Sequence, residues 1–155
     1  MIKLKIGDPA PDFSLPSSTN KSITLHEFRG KKIVLYFYPK DDTPGCTIEA
    51  CDFRNSHDSL ETSGIQILGI SADGIESHKK FSDKFSLNFP LISDADKSTI
   101  NAYGAWSEKQ VLGKTELGIK RMTFLIDEEG KILKIWETVN PDGHAEEILK
   151  ASNSG

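Results

Sequence analysis

The stretch Lys32-Ile33-Val34-Leu35-Tyr36-Phe37-Tyr38-Pro39-Lys40-Asp41-Asp42-Thr43-Pro44-Gly45-Cys46 decides the fold. Lys32 to Tyr38 is rich in β-branched and aromatic side chains and is bounded by Gly30 and Pro39, the pattern of a buried strand closed by turn residues. Cys46 to Leu60 contains no Gly or Pro, and Gly64 follows as a stop, which predicts a helix. Beyond it, Ile65 to Ser71 predicts a second strand. Ile75 to Phe85 has helical spacing at Ile75, Lys79, Phe81 and Phe85, and Phe89 to Ile92 is short and extended. Met122 to Ile126 and Lys131 to Trp136 flank Asp127-Glu128-Glu129-Gly130, whose closing Gly predicts a reversal between antiparallel strands. After Asn140-Pro141-Asp142-Gly143, a terminal helix from His144 to Ala151 carries Glu146 and Glu147 in its first turns, as the helix dipole favours. Alternating strands and helices with a late hairpin predict an α/β protein: a central mixed β-sheet flanked by helices on both faces.

The 155 residues show no repeat, linker or low-complexity tract, so residues 1–155 are expected to form a single domain. The longest apolar run, Ile33 to Tyr38, is far short of a membrane span. The start, Met1 to Pro9, is too interrupted by charge for a secretory signal, so a cytoplasmic location is expected. The net charge of -4, with Lys and Arg scattered, gives no footprint for nucleic acid or an anionic membrane and suits a small substrate. Two cysteines are too few for the disulfide framework of a small secreted domain and call for a local explanation.

Cys46 leaves the best strand and opens the best helix. In the first helical turn, free backbone N–H groups and the positive end of the helix dipole favour a thiolate, the nucleophilic form of cysteine. Thr43, three residues earlier, can hold a hydroxyl close to that sulfur. Pro39 and Pro44 stiffen the loop and remove two amide donors. Cys51 lies five residues on. On an intact helix that separation is at least about 7.5 Å along the axis and about 140° around it, beyond the roughly 4.4–6.8 Å Cα separation of a disulfide. A bridge between Cys46 and Cys51 therefore requires the first turns of the helix to unwind.

Arg121, just before the apolar run Thr123 to Ile126, stands at the mouth of an interior strand, where it is either a surface cation or the fixed charge that such a thiolate needs. Glu49, one turn past Cys46, either orients that Arg or is simply a favourable acid near a helix start. Zinc is disfavoured, because His26, His57, His78 and His144 are dispersed and the cysteines do not have the close spacing of a structural site. His57 reads as a surface residue of the Cys46 helix, and no role is assigned to the other three.

These residues resemble the peroxiredoxins, in particular the Q-type group also called bacterioferritin comigratory proteins. The resemblance rests on Gly7-Asp8-Pro9-Ala10-Pro11-Asp12-Phe13, on Tyr36 to Thr47, on Ala50-Cys51 with Phe53-Arg54, and on Arg121 to Asp127. The spacing of Pro39, Thr43 and Cys46 matches the family's peroxide-site pattern without a gap. The resemblance implies a thioredoxin-like fold with an N-terminal extension, and a thiol-dependent peroxidase acting on hydrogen peroxide and alkyl hydroperoxides. It implies that Cys46 is the peroxidatic thiolate, oxidised to a sulfenic acid, and that Cys51 resolves it in an intramolecular disulfide reduced by thioredoxin or a similar dithiol. It also places Thr43 and Arg121 on the peroxide oxygens, Pro39 as a shield and Glu49 as a supporting acid. It implies no metal, flavin or haem cofactor; a monomer or weak dimer is expected. Two rivals use the same pair of cysteines. One is a binding protein switched by the disulfide without turnover. The other is a dithiol oxidoreductase, disfavoured by four intervening residues instead of two.

Overall fold

A computed structural model describes residues 4–154. In chain order the strands are β1 (Ser14–Pro16), β2 (Ser22–Thr24), β3 (Lys32–Phe37), β4 (Ile65–Ser71), β5 (Leu91–Ser93), β6 (Trp106–Val111), β7 (Lys114–Ile119), β8 (Met122–Ile126) and β9 (Ile132–Trp136). The α-helices are α1 (Pro44–Asn55), α2 (His57–Thr62), α3 (Ile75–Phe85), α4 (Ser98–Ala102) and α5 (His144–Ser154), and a 3-10 turn spans Leu25–Phe28. The central sheet has the order β5-β4-β3-β8-β9. β3, β4 and β5 are parallel, whereas β8 runs antiparallel to β3, and β9 antiparallel to β8.

β3 is buried on both sides, and its alternation divides the interior into two cores. Ile33, Leu35 and Phe37 face one core with Ile100 and Tyr103 of the α4 region and Phe13, Ile23 and Leu25 of the N-terminal segment. Val34 and Tyr36 face the other with Cys46, Ala50 and Phe53 of α1, Leu60 of α2, Phe81 of α3 and Ile148 of α5. Helices thus cover both faces of a mixed sheet, in agreement with the sequence reading. The N-terminal extension is a hairpin of β1 and β2 that joins the sheet through bridges from Pro9 to Lys131 and from Ser17 to Ile92.

Several predicted boundaries change. The helix expected over Cys46 to Leu60 is two helices, starting earlier at Pro44 and broken at Ser56, where φ -100° and ψ 5° leave the helical path. His57 accordingly belongs to α2 and not to the Cys46 helix. α3 matches its predicted limits, but its buried face is His78 and Phe81, while Lys79 is only half-buried. The strand expected at Phe89 to Ile92 is Leu91–Ser93, and α5 continues through Ser154. The sequence reading missed β1, β2, α4 and the β6–β7 hairpin. The hairpin turns at Leu112 and Gly113, which both have positive φ, without the Asn-Gly or Asp-Gly that usually marks such a turn.

Candidate functional site

The carboxyl end of β3 delivers the chain into a loop that opens α1. Thr43 caps that helix with extended backbone, and Pro44 occupies the first position, where its missing N–H has no helical partner to lose. Cys46 is therefore the third residue of the helix. Gly45 and Cys46 bring their amide N–H groups and the positive helix end to one place. The first backbone bond of the helix runs from Thr47 N–H to the Thr43 carbonyl at 2.8 Å. Cys46 is 1% exposed, packed among Tyr36, Tyr38 and Ala50 on the α1 side of the sheet.

Arg121 reaches the same core by strand alternation. In β8, Thr123 and Leu125 pair with Tyr36 and Val34, so residue 121, two before Thr123, shares their face. The Arg121 Nη2 group donates to Cys46 Sγ at 3.4 Å, and Nη1 donates to Glu49 Oε1 at 2.7 Å. Glu49 is 0% exposed, and its Oε2 has no hydrogen-bond partner. Burial pushes its carboxyl up to about 7, against the lowering influence of Arg121. The sequence left open whether Glu49 touches Arg121, and in the structure the two are paired. A Cβ at Gly45 would lie 3.0 Å from Arg121 Nη2, so a residue without a side chain lets the guanidinium lie over the helix start.

Thr43 precedes Cys46 by three residues at the mouth of the helix. Its hydroxyl donates to the Lys40 carbonyl at 2.9 Å, where the turn from Lys40 to Thr43 offers a local acceptor. As the donor in that bond, the oxygen keeps its lone pairs free of it. Pro39 is half-buried in the loop ahead of it. Cys51 is half-buried on α1, and both thiols are free. One helix carries both cysteines, so the separation that forbids a bridge without unwinding applies.

Beside the loop, a second network was invisible to the sequence reading. The Asp41 carboxylate accepts from Tyr38 Oη at 2.6 Å, from Ser77 Oγ at 2.8 Å and from His78 Nδ1 at 2.7 Å, while the Asp41 N–H donates to Asp73 Oδ2 at 2.8 Å. It ties the loop to β4 and α3. Asp41, Asp73 and His78 place three ligand-type atoms within 4.8 Å of one another. These residues already hydrogen-bond to one another and to Tyr38, Ser77 and Ser71. The signal available was the position of His78 on the apolar face of α3. His144 is also buried, between Thr123 Oγ1 at 2.9 Å and Glu147 Oε1 at 3.0 Å, and burial lowers its pKa.

Comparison with known proteins adds three findings. Residues 6–135 match the AhpC/TSA family. The chain is 45% identical over 148 residues to the putative peroxiredoxin bcp of Coxiella burnetii, covering 96% of this chain and 98% of that one. It is 43% identical over 149 residues to peroxiredoxin Bcp of Escherichia coli, covering 96% of each. Among solved structures, a cysteine-to-serine mutant of Xylella fastidiosa PrxQ superposes with a TM-score of 0.93 at 34% identity, covering 99% of this chain and 98% of that one. A Xanthomonas campestris bacterioferritin comigratory protein, described for its alkyl peroxide reduction activity, gives a TM-score of 0.86 at 40% identity, covering 92% and 90%.

Proposed function

This chain belongs to the peroxiredoxins of the AhpC/TSA family, and from that premise we propose how its residues divide the work of a thiol-dependent peroxidase. Cys46 is the nucleophile. Its thiolate attacks the terminal oxygen of hydrogen peroxide or an alkyl hydroperoxide, the O–O bond breaks, and the sulfur becomes a sulfenic acid while water or an alcohol leaves. The observation that carries this reading is the single guanidinium of Arg121, 3.4 Å from Sγ and fixed from behind by Glu49. It favours the thiolate and, with the Gly45 and Cys46 amides, stabilises negative charge developing on the departing oxygen. Thr43 accepts the hydroperoxide O–H, which sets the direction of approach, and Pro39 limits water at the rim.

Cys51 resolves. The sulfenic acid condenses with its thiol, forming the Cys46–Cys51 disulfide and releasing water, after the first turns of α1 unwind. Thioredoxin or a similar dithiol then reduces the bridge by exchange. Both cysteines lie on one helix of one chain, so a monomer or weak dimer suffices. Among the described residues no helix is long and apolar enough to cross a membrane, and two cysteines, too few for a structural disulfide framework, suit a cytoplasmic protein. Neither nucleic acid nor metal enters the reaction.

The test is peroxide consumption coupled to thioredoxin oxidation in the parent, Cys46→Ser and Cys51→Ser proteins. Cys46→Ser should lose all turnover, and Cys51→Ser should lose thioredoxin-linked turnover while still consuming one peroxide per chain. Turnover retained in Cys46→Ser would overturn the assignment.

A further inference from the structure

Arg121 is one cation between two acids. Its two terminal nitrogens reach Glu49 Oε1 at 2.7 Å and Cys46 Sγ at 3.4 Å, and both acids are buried. A thiolate and a carboxylate together would set two negative charges against one positive charge with both anions buried away from water, which strongly disfavours the unbalanced ion. One of the acids therefore keeps its proton while the other is charged.

The surroundings decide which. Ionised Glu49 would leave Oε2 as a charged oxygen with no donor, since that atom is buried without a partner. Ionised Cys46 instead lies in the first turn of α1, against amide N–H groups. Among the described residues, the other groups around Glu49 supply no second cation. Asp52, on the same helix, adds negative charge. Tyr36 of β3 feels Glu49 and Cys46, and burial holds its hydroxyl well above the ordinary range, so it stays neutral. On the α5 side, burial favours neutral His144. Burial of Glu49 itself, which brings its carboxyl to about 7, acts in the same direction.

We propose that Glu49 is the proton reservoir of the first step, neutral while Cys46 is a thiolate and ionised once the sulfur has lost its charge. The reaction is Cys46–S⁻ + Glu49–COOH + R–O–O–H → Cys46–S–OH + Glu49–COO⁻ + R–OH. The S–O bond forms and the O–O bond breaks. The sulfur is oxidised by two electrons, the peroxide is reduced by two, and the proton Glu49 gives up balances the one the leaving oxygen gains. Arg121 remains paired throughout, first chiefly with sulfur and then with Glu49, so the pocket never holds an unbalanced charge. When a dithiol later restores the thiolate, Glu49 takes a proton back. Glu49 is a positioning residue here, acting through Arg121 and the charge balance. The proposal rests on Cys46 being the nucleophile.

The experiment uses the Cys51→Ser protein, which halts at the sulfenic acid, carrying carbon-13-labelled glutamate. It is mixed with hydrogen peroxide at a pH where ultraviolet absorbance shows the thiolate. Infrared difference spectra should show a protonated carboxyl C=O band disappearing as the sulfenic acid forms. An indicator dye in weak buffer should record no net proton uptake, and the same protein carrying Glu49→Gln should take up one proton per sulfenic acid. An unchanged carboxyl band, or equal proton uptake in both proteins, would overturn the proposal. The infrared readout needs no substitution at Glu49, so a poorly folded Gln variant does not remove the test. Mass spectrometry of Cys46 separates the two failures, because absence of the sulfenic acid would refute the nucleophile and not the reservoir.

Discussion

Replacing Glu49 by Gln should change the pH dependence of folding stability in a defined direction. In the unfolded chain the carboxyl titrates near its ordinary 4.5, and in the folded protein burial raises it to about 7. Between those values the native state holds a proton that the unfolded state has lost, so stability is fullest below 4.5 and declines as pH rises through 7. At about 1.4 kcal/mol per pH unit, that interval amounts to about 3 kcal/mol for a side chain that is 0% exposed. Gln keeps the shape and an acceptor for Arg121 but does not titrate. Urea unfolding of both reduced proteins from pH 4.5 to 8 should therefore show the parent losing about 3 kcal/mol relative to Glu49→Gln. Parallel curves, or a parent that gains on the variant as pH rises, would refute the reasoning.

Other substitutions probe separate contacts. Arg121→Met removes the cation 3.4 Å from Cys46 Sγ, and rapid mixing with peroxide should show the first step slowed about 10²–10³-fold. Gly69→Ala would place a Cβ 2.9 Å from the Tyr36 Cζ and Oη atoms, so its denaturation midpoint should report a loss of about 1–3 kcal/mol. Asp52→Ala removes the acceptor for the Ala145 N–H, 2.8 Å away in the first turn of α5. It should cost about 1 kcal/mol and speed hydrogen exchange at Ala145, and Asp52→Asn should recover most of both.

The parts of the fold that were legible in the sequence are those where one physical signal dominates. β3 is a buried parallel strand and reads as a continuous apolar run, and α3 has an amphipathic period between clear stops. The β6–β7 hairpin was not legible because β7 is mostly exposed and polar and Leu112 takes positive φ without a turn residue to mark it. The break at Ser56 was hidden because no Gly or Pro marks it. At the site, Cys46 at a helix start followed from strand–turn–helix order, and Arg121 from its position just before the apolar run Thr123 to Ile126. The Asp41–His78 network depends on how β4 and α3 pack against the loop, which local sequence does not encode.

The central claim is that Cys46 and Cys51 form one redox couple on a helix that must open. Its most direct test is to add one equivalent of hydrogen peroxide to the reduced protein and follow free thiols and peptide mass together with hydrogen exchange. Both thiols should disappear into a Cys46–Cys51 disulfide, and exchange should rise in the first turns of α1. If both thiols persist, or the disulfide forms with those turns as protected as before, the account is contradicted.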